Sequence, residues 1–167
     1  SPARPCPSAA DRLRPPGPGA AGSGRKSLVK GDVWVHAQGV NDAAAPTLYD
    51  RIGGAPAVDD LIGRFYDRVF ADPHLAPFFR GVTFEKLRCM QVELFTAALD
   101  GPVEYSGQAL GDAHAGRGIG DRQVSQFLEH LLATLREVGI DEDDAEQVVH
   151  RIAMLAPEVT GDANESA

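Results

Sequence analysis

At 167 residues the chain has room for one domain with extensions, and a formal net charge of −8 repels phosphate backbones, which argues against a nucleic-acid partner. Two cysteines outside any CxxC pattern, no apolar run of membrane-spanning length and no basic-then-apolar N-terminus lead to three expectations: no structural disulfide, no stable membrane insertion and a cytoplasmic setting. The charge is uneven, since residues 1–46 carry six Lys/Arg against three Asp/Glu while the remainder carries ten against twenty-one.

Residues 1–46 hold seven of the twelve prolines and six glycines, too few large apolar groups to offset the entropy of ordering, and read as a disordered extension. The patch Val33-Trp34-Val35-His36 interrupts it, and no function is assigned to it. Folding begins at Thr47-Leu-Tyr-Asp-Arg-Ile52, a short helix closed by Gly53-Gly54. Val58, Leu61, Ile62, Phe65, Tyr66, Val69 and Phe70 then recur at helical spacing, predicting an amphipathic helix over about 57–71 that Asp72-Pro73 stops. Leu75-Ala-Pro-Phe78-Phe79 follows as a loop too apolar to be a plain solvent-facing connection.

Thr83 is a plausible N-cap for a second helix with the stripe Phe84, Leu87, Leu94, Phe95, Ala98, Leu99, into which Gln91 intrudes. A half-buried glutamine that bonds a backbone carbonyl is the ordinary explanation of such a residue. Asp100-Gly101-Pro102 breaks this helix. Next comes Tyr105-Ser-Gly-Gln-Ala-Leu-Gly-Asp-Ala-His114-Ala-Gly-Arg-Gly-Ile119, one histidine amid four glycines, expected on a short or irregular helix. His114 is open to two readings, an iron ligand or a bland histidine near a loop. Asp121 is expected to cap a long helix ended by Gly139, and Asp141 to start the last, with Val148, Val149, Ile152 and Leu155 on its apolar face. The domain is read as all-α, spanning 47–160, with a flexible tail over 161–167.

A tyrosine and a glutamine within apolar faces, two adjacent Phe in a loop and one His in a glycine-rich segment share one explanation: a flat apolar cofactor with a central metal. A lone histidine suits haem iron, whose porphyrin supplies the in-plane ligands, and not a structural zinc site. His74, His130 and His150 share no ligand spacing and read as surface residues.

In these residues the chain resembles the truncated, two-over-two globins, group I in particular. The motifs occur in order: Leu48-Tyr-Asp-Arg-Ile-Gly-Gly54, Phe65-Tyr66-Asp-Arg-Val, Leu75-Ala-Pro-Phe78-Phe79, Lys86-Leu87 with Gln91-Val-Glu-Leu-Phe95, and His114-Ala-Gly-Arg-Gly-Ile119. Phe127 stands where group II relatives carry tryptophan. The resemblance implies a two-over-two helical sandwich around haem b, with His114 as axial iron ligand and Tyr66 and Gln91 on the distal, reactive side. It also implies cofactor contacts from Phe79, Lys86, Leu87, Tyr105, Arg117 and Ile119. Two departures stand out: Asp100 replaces the first glycine of the family's second glycine motif, and Met90 stands where a basic residue often anchors a propionate. Arg117 is open between that role and a solvated charge.

The resemblance further implies binding of O2, NO and CO at ferrous iron, with conversion of nitric oxide and O2 to nitrate as the leading expectation. Turnover requires an external reductase, since the chain holds no reductase domain. The alternatives are O2 storage, transport or sensing without turnover, and a haem-free helical interaction module. Leu87, Leu94 and Phe95 either line the distal wall and a gas route or are ordinary core.

Overall fold

The computed structural model describes residues 45–161, so all but the last two residues of the extension and all but the first residue of the tail lie outside the described residues. Those residues fold into seven α-helices and one 3-10 turn, without strands: α1 Leu48–Ile52, α2 Gly54–Ala71, the turn Ala76–Phe79, α3 Phe84–Ala98, α4 Leu110–His114, α5 Asp121–Glu137, α6 Glu142–Ala153 and α7 Ala156–Thr160.

Local chemistry sets the boundaries. Thr47 and Asp50 form a reciprocal capping box on α1, and Gly53 ends that helix at φ 116°, a left-handed conformation that admits glycine without penalty. The same residue leads directly into α2, which therefore starts at Gly54, ahead of the apolar periodicity that begins at Val58. Asp72 terminates α2, as expected from the proline that follows. Thr83 occupies the N-cap of α3 but makes no side-chain capping bond. The expected Asp121 cap of α5 is corrected: Gly120 is the N-cap, and the Gln123 side chain reaches back to its N–H. Asp141 does cap α6, accepting from the Asp143 N–H. The α7 turn was not anticipated, because Leu155 reads as a continuation of the α6 stripe although the chain has already turned.

The four long helices bury one another's apolar faces: α2 against α3 and α5, α5 against α6, and α3 against α6. Val58, Ile62, Phe65, Val69, Leu99, Leu131, Leu135 and Val148 are fully buried, and Phe65 meets Phe127 edge-on at 4.7 Å between ring centres. The short α4 packs instead on α7, outside this core.

Asp100, where the resemblance expects glycine, adopts φ 61°, uncommon for a side-chain-bearing residue. Arg151 compensates, pairing with its carboxylate at 2.9 Å and donating to the Ala98 carbonyl at 3.2 Å, which ties the end of α3 to α6. The expectation of no structural disulfide turns on Cys6, which lies outside the described residues. No described helix is long and apolar enough to cross a membrane.

Candidate haem pocket

An open-sided cavity of about 220 Å³ lies between α3 and the α4–α7 pair, floored by residues of α2 and α5. Its lining gathers Tyr66 from α2, Phe79 from the 3-10 turn, Leu87 and Gln91 from α3, and Tyr105, His114, Arg117 and Ile119 from the glycine-rich segment. Leu94, Phe95, Met90 and Phe127 complete much of the apolar wall. Lys86 is exposed and is not among the lining residues.

Tyr66 is 1% exposed, and burial pushes its phenol far above the ordinary tyrosine range, so it remains a protonated donor. Its ring is held edge-on by Phe65 (5.2 Å) and Phe79 (5.8 Å). Its hydroxyl makes no hydrogen bond to a described residue, and it is not sealed among protein atoms but opens onto the cavity. Gln91 likewise has no hydrogen-bond partner among the described residues, so it is not the carbonyl-bonded glutamine of the ordinary explanation. Tyr66 is buried and Gln91 half-buried, and both line the same apolar cavity with no partner among the described residues.

His114 ends α4, and its Nδ1–H donates to the Leu110 carbonyl at 2.7 Å, one turn earlier in the same helix. This bond orients the ring and leaves the lone pair on Nε2, the state in which an imidazole binds a metal. After His114 the chain reverses through Gly116 and Gly118, at φ 71° and 69°. Arg117 sits between them and donates to the Phe78 carbonyl at 3.4 Å, linking this segment to the 3-10 turn. Tyr105 donates to the Gln108 carbonyl at 3.0 Å, and its ring lies so close to Gly107 that a Cβ there would meet the phenol oxygen at 2.3 Å.

The donor set decides what metal chemistry fits. Among the described residues no group of three or more His, Cys, Asp or Glu converges, so a metal bound only by side chains has no site. One oriented imidazole on an apolar cavity fits a metal that arrives with its own in-plane ligands, and the orphan donors Tyr66 and Gln91 fit a small polar ligand on that metal. The residues present therefore fit haem. A second, shallow depression lined by Asp143, Glu146, Gln147 and His150 is polar and brings together no such set.

Sequence reasoning missed one cluster. His130, expected at the surface, is half-buried and donates through Nε2 to the Asp72 carboxylate at 2.6 Å. The signal was faint: a histidine on the polar side of a helix stripe gives no hint of a buried acid 58 residues away.

Comparison with known proteins gives the same picture. Residues 47–161 match the model of the bacterial-like globin family. The chain is 39% identical over 124 residues to the group 1 truncated hemoglobin GlbN of Mycolicibacterium paratuberculosis, covering 74% of this chain and 91% of that protein. To GlbN of Synechocystis it is 37% identical over 101 residues, covering 58% and 82%. The Synechococcus 2/2 hemoglobin, solved in the cyanomet state with covalently attached heme, superposes with a TM-score of 0.66 at 28% identity, covering 69% of this chain and 98% of that one. THB1 of Chlamydomonas reinhardtii superposes with a TM-score of 0.61 at 34% identity, covering 70% and 98%.

Proposed function

Because this chain belongs to the bacterial-like globin family, as a group 1 truncated haemoglobin whose family supports haem-based gas binding, we propose that it takes up haem b at His114, binds O2, NO and CO, and converts nitric oxide to nitrate. Haem, when bound, supplies the reversible diatomic-ligand site and the one-electron chemistry. The remaining work belongs to the chain's own residues.

His114 offers Nε2, with its ring fixed by the Leu110 carbonyl. Phe79, Leu87 and Ile119 supply apolar contact for a flat ring and keep water out. Tyr105 and Arg117 are the polar groups available to carboxylates at the opening, and the exposed Lys86 lies outside the lining, which shifts propionate anchoring toward Arg117. On the distal side Tyr66 donates its O–H to a ligand that accumulates negative charge, and Gln91 orients or seconds that bond. The overall change is NO + O2 + one electron giving nitrate, and an external reductase delivers the electron.

The observation that carries this reading is the pair of unpartnered polar side chains, Tyr66 and Gln91, on the same apolar cavity as an imidazole with a free Nε2. A storage protein needs one donor to retain O2; two favour retention long enough to meet a second reactant. The test is rapid mixing of the oxygenated ferrous protein with nitric oxide. Stoichiometric nitrate formed within the mixing time supports the conversion, whereas slow decay without nitrate returns the protein to O2 storage or sensing.

A further inference from the structure

Asp72 is 7% exposed, and its carboxylate accepts three hydrogen bonds: Oδ1 from the His74 N–H at 2.8 Å, and Oδ2 from Gln126 Nε2 and His130 Nε2, each at 2.6 Å. Its own carbonyl accepts from the Leu75 and Ala76 N–H groups at 3.1 and 2.9 Å, starting the turn that carries Phe78 and Phe79 to the cavity. Gln126 and His130 lie four residues apart on α5, and the next residue after Gln126 is Phe127, another cavity-lining ring. One buried carboxylate thus joins the Phe-bearing turn to a helix that lines the same cavity. None of its three atoms of contact touches the cavity.

We propose that Asp72 is a positioning residue of the haem pocket, locking the turn that bears Phe79 to the α5 wall that bears Phe127 so that the two close on the cofactor at a fixed spacing. This rests on the haem reading of the pocket. A loose turn leaves the ring edges free to part, and a bound porphyrin then escapes more readily. The side-chain hydrogen bond from His130, then the backbone bond from His74, hold the Asp72 carboxyl below the usual carboxylate range. Stability linked to it is therefore present above the ordinary carboxylate pKa and is lost only as pH falls through the depressed value. An ionised carboxylate accepts from a neutral or a protonated imidazole alike, so the native latch stays closed across the imidazole range.

Asp72→Asn makes the latch pH-sensitive. The amide keeps its shape but places an NH2 or an oxygen, not two acceptors, before His74, Gln126 and His130. With the NH2 toward α5, neutral His130 can still accept at Nε2 and Gln126 can turn its amide oxygen inward. Once His130 is protonated, donor faces donor. The titratable groups facing Asp72 are His74 from the turn and His130 from α5; on α2, Arg68 is occupied by Glu137.

The experiment measures haem loss from the full-length ferric protein to an excess of a haem-scavenging apoglobin, in a His74→Gln background that removes the other imidazole. The readout is the ratio of the Asp72→Asn rate to the rate with Asp72 intact. That ratio is expected to rise at least about fivefold between pH 7.5 and 5.5, a factor in the range a lost charge-assisted bond produces. Adding His130→Gln, which offers an oxygen at every pH, should flatten it. Val148→Ala, a core change on α6, serves as the control for general destabilisation and should give a flat ratio. A flat ratio for Asp72→Asn, tracking the loss of thermal stability as Val148→Ala does, would overturn the proposal while leaving the pocket intact. A parent protein that shows no Soret band on haem addition would overturn the haem reading and, with it, this role.

Discussion

The two sides of the pocket are built by different physics. The distal side rests on α2 and α3, eighteen and fifteen residues long, with Phe65, Tyr66 and Phe95 at 1% exposure or less. The side bearing His114 is a five-residue helix between irregular segments, and Leu110 is its one buried residue. The Tyr66 ring is held by the packing of these helices whether or not anything occupies the cavity. The proximal imidazole is held by one hydrogen bond to its own helix, the packing of α4 on α7, and whatever its Nε2 binds. On the haem reading proposed above, the rigid half would set ligand chemistry and the light half would couple cofactor to fold.

The largest effect should come from the rigid half. Phe65→Ala removes a fully buried ring that meets Tyr66, Phe95 and Phe127, and should lower the unfolding free energy by about 3–5 kcal/mol with or without haem. Denaturant titration of both forms checks this. If the loss appears only in the haem-loaded protein, the scaffold is not preformed and the contrast drawn above collapses.

His114→Ala should do the reverse. The apoprotein should unfold almost as the parent does, because the ring is partly exposed and its one hydrogen bond is local. Haem affinity should fall by roughly a hundredfold or more, beyond the 10- to 100-fold typical of losing a supporting group around a metal. Competition for haem against a scavenging globin, with the absorption spectrum recorded, measures both parts. Added imidazole should restore the ligand-field bands.

Tyr66→Phe probes the distal donor alone. Dissociation of O2 should speed up between several-fold and about a hundredfold, the range expected for one lost hydrogen bond of roughly 1–3 kcal/mol. The apoprotein should not weaken, since the deleted hydroxyl has no partner among the described residues. The raised phenol pKa adds a sign that can be checked. Below pH 10 the tyrosine is neutral folded and unfolded and contributes no slope. Above it the unfolded chain releases a proton that the fold retains, so stability should fall with rising pH in the parent and fall less in Tyr66→Phe.

How much of this was legible in the chain follows the same division. Periodicity located α2, α3, α5 and α6, because long amphipathic helices write their burial into every third and fourth residue. It could not locate α7, where five residues hold too few turns to show a period, nor the start of α2, which is set by Gly53 and not by apolar spacing. His114 was singled out by composition, and the structure places it on the short helix expected, at the cavity that also takes in Tyr66, Phe79 and Gln91. The sequence weights Lys86 over Arg117 for propionate anchoring; the course of the chain puts Arg117 on the wall and leaves Lys86 outside. The Asp72–His130 bond was invisible for the same reason, being a meeting of residues 58 apart.

The smallest predicted effects separate the two halves most cleanly. Gly63 in α2 and Gly118 beyond His114 both have open space where a Cβ would project, with no atom within 4 Å. Size therefore cannot distinguish them, and backbone conformation must. Gly63 lies in regular helix, so Gly63→Ala should raise stability by about 0.4–1 kcal/mol through the unfolded chain's lost freedom. Gly118 sits at φ 69°, where alanine carries roughly 1–2 kcal/mol of strain. Because its segment is coupled to the core mainly through the pocket, Gly118→Ala should relieve that strain by local rearrangement in the apoprotein, with little change in unfolding. Haem rebinding then has to restore the strained turn, and haem affinity should drop by about five- to thirtyfold. Equal losses of apoprotein stability and haem affinity in Gly118→Ala would mean that the proximal segment is as firmly built as the helices opposite it.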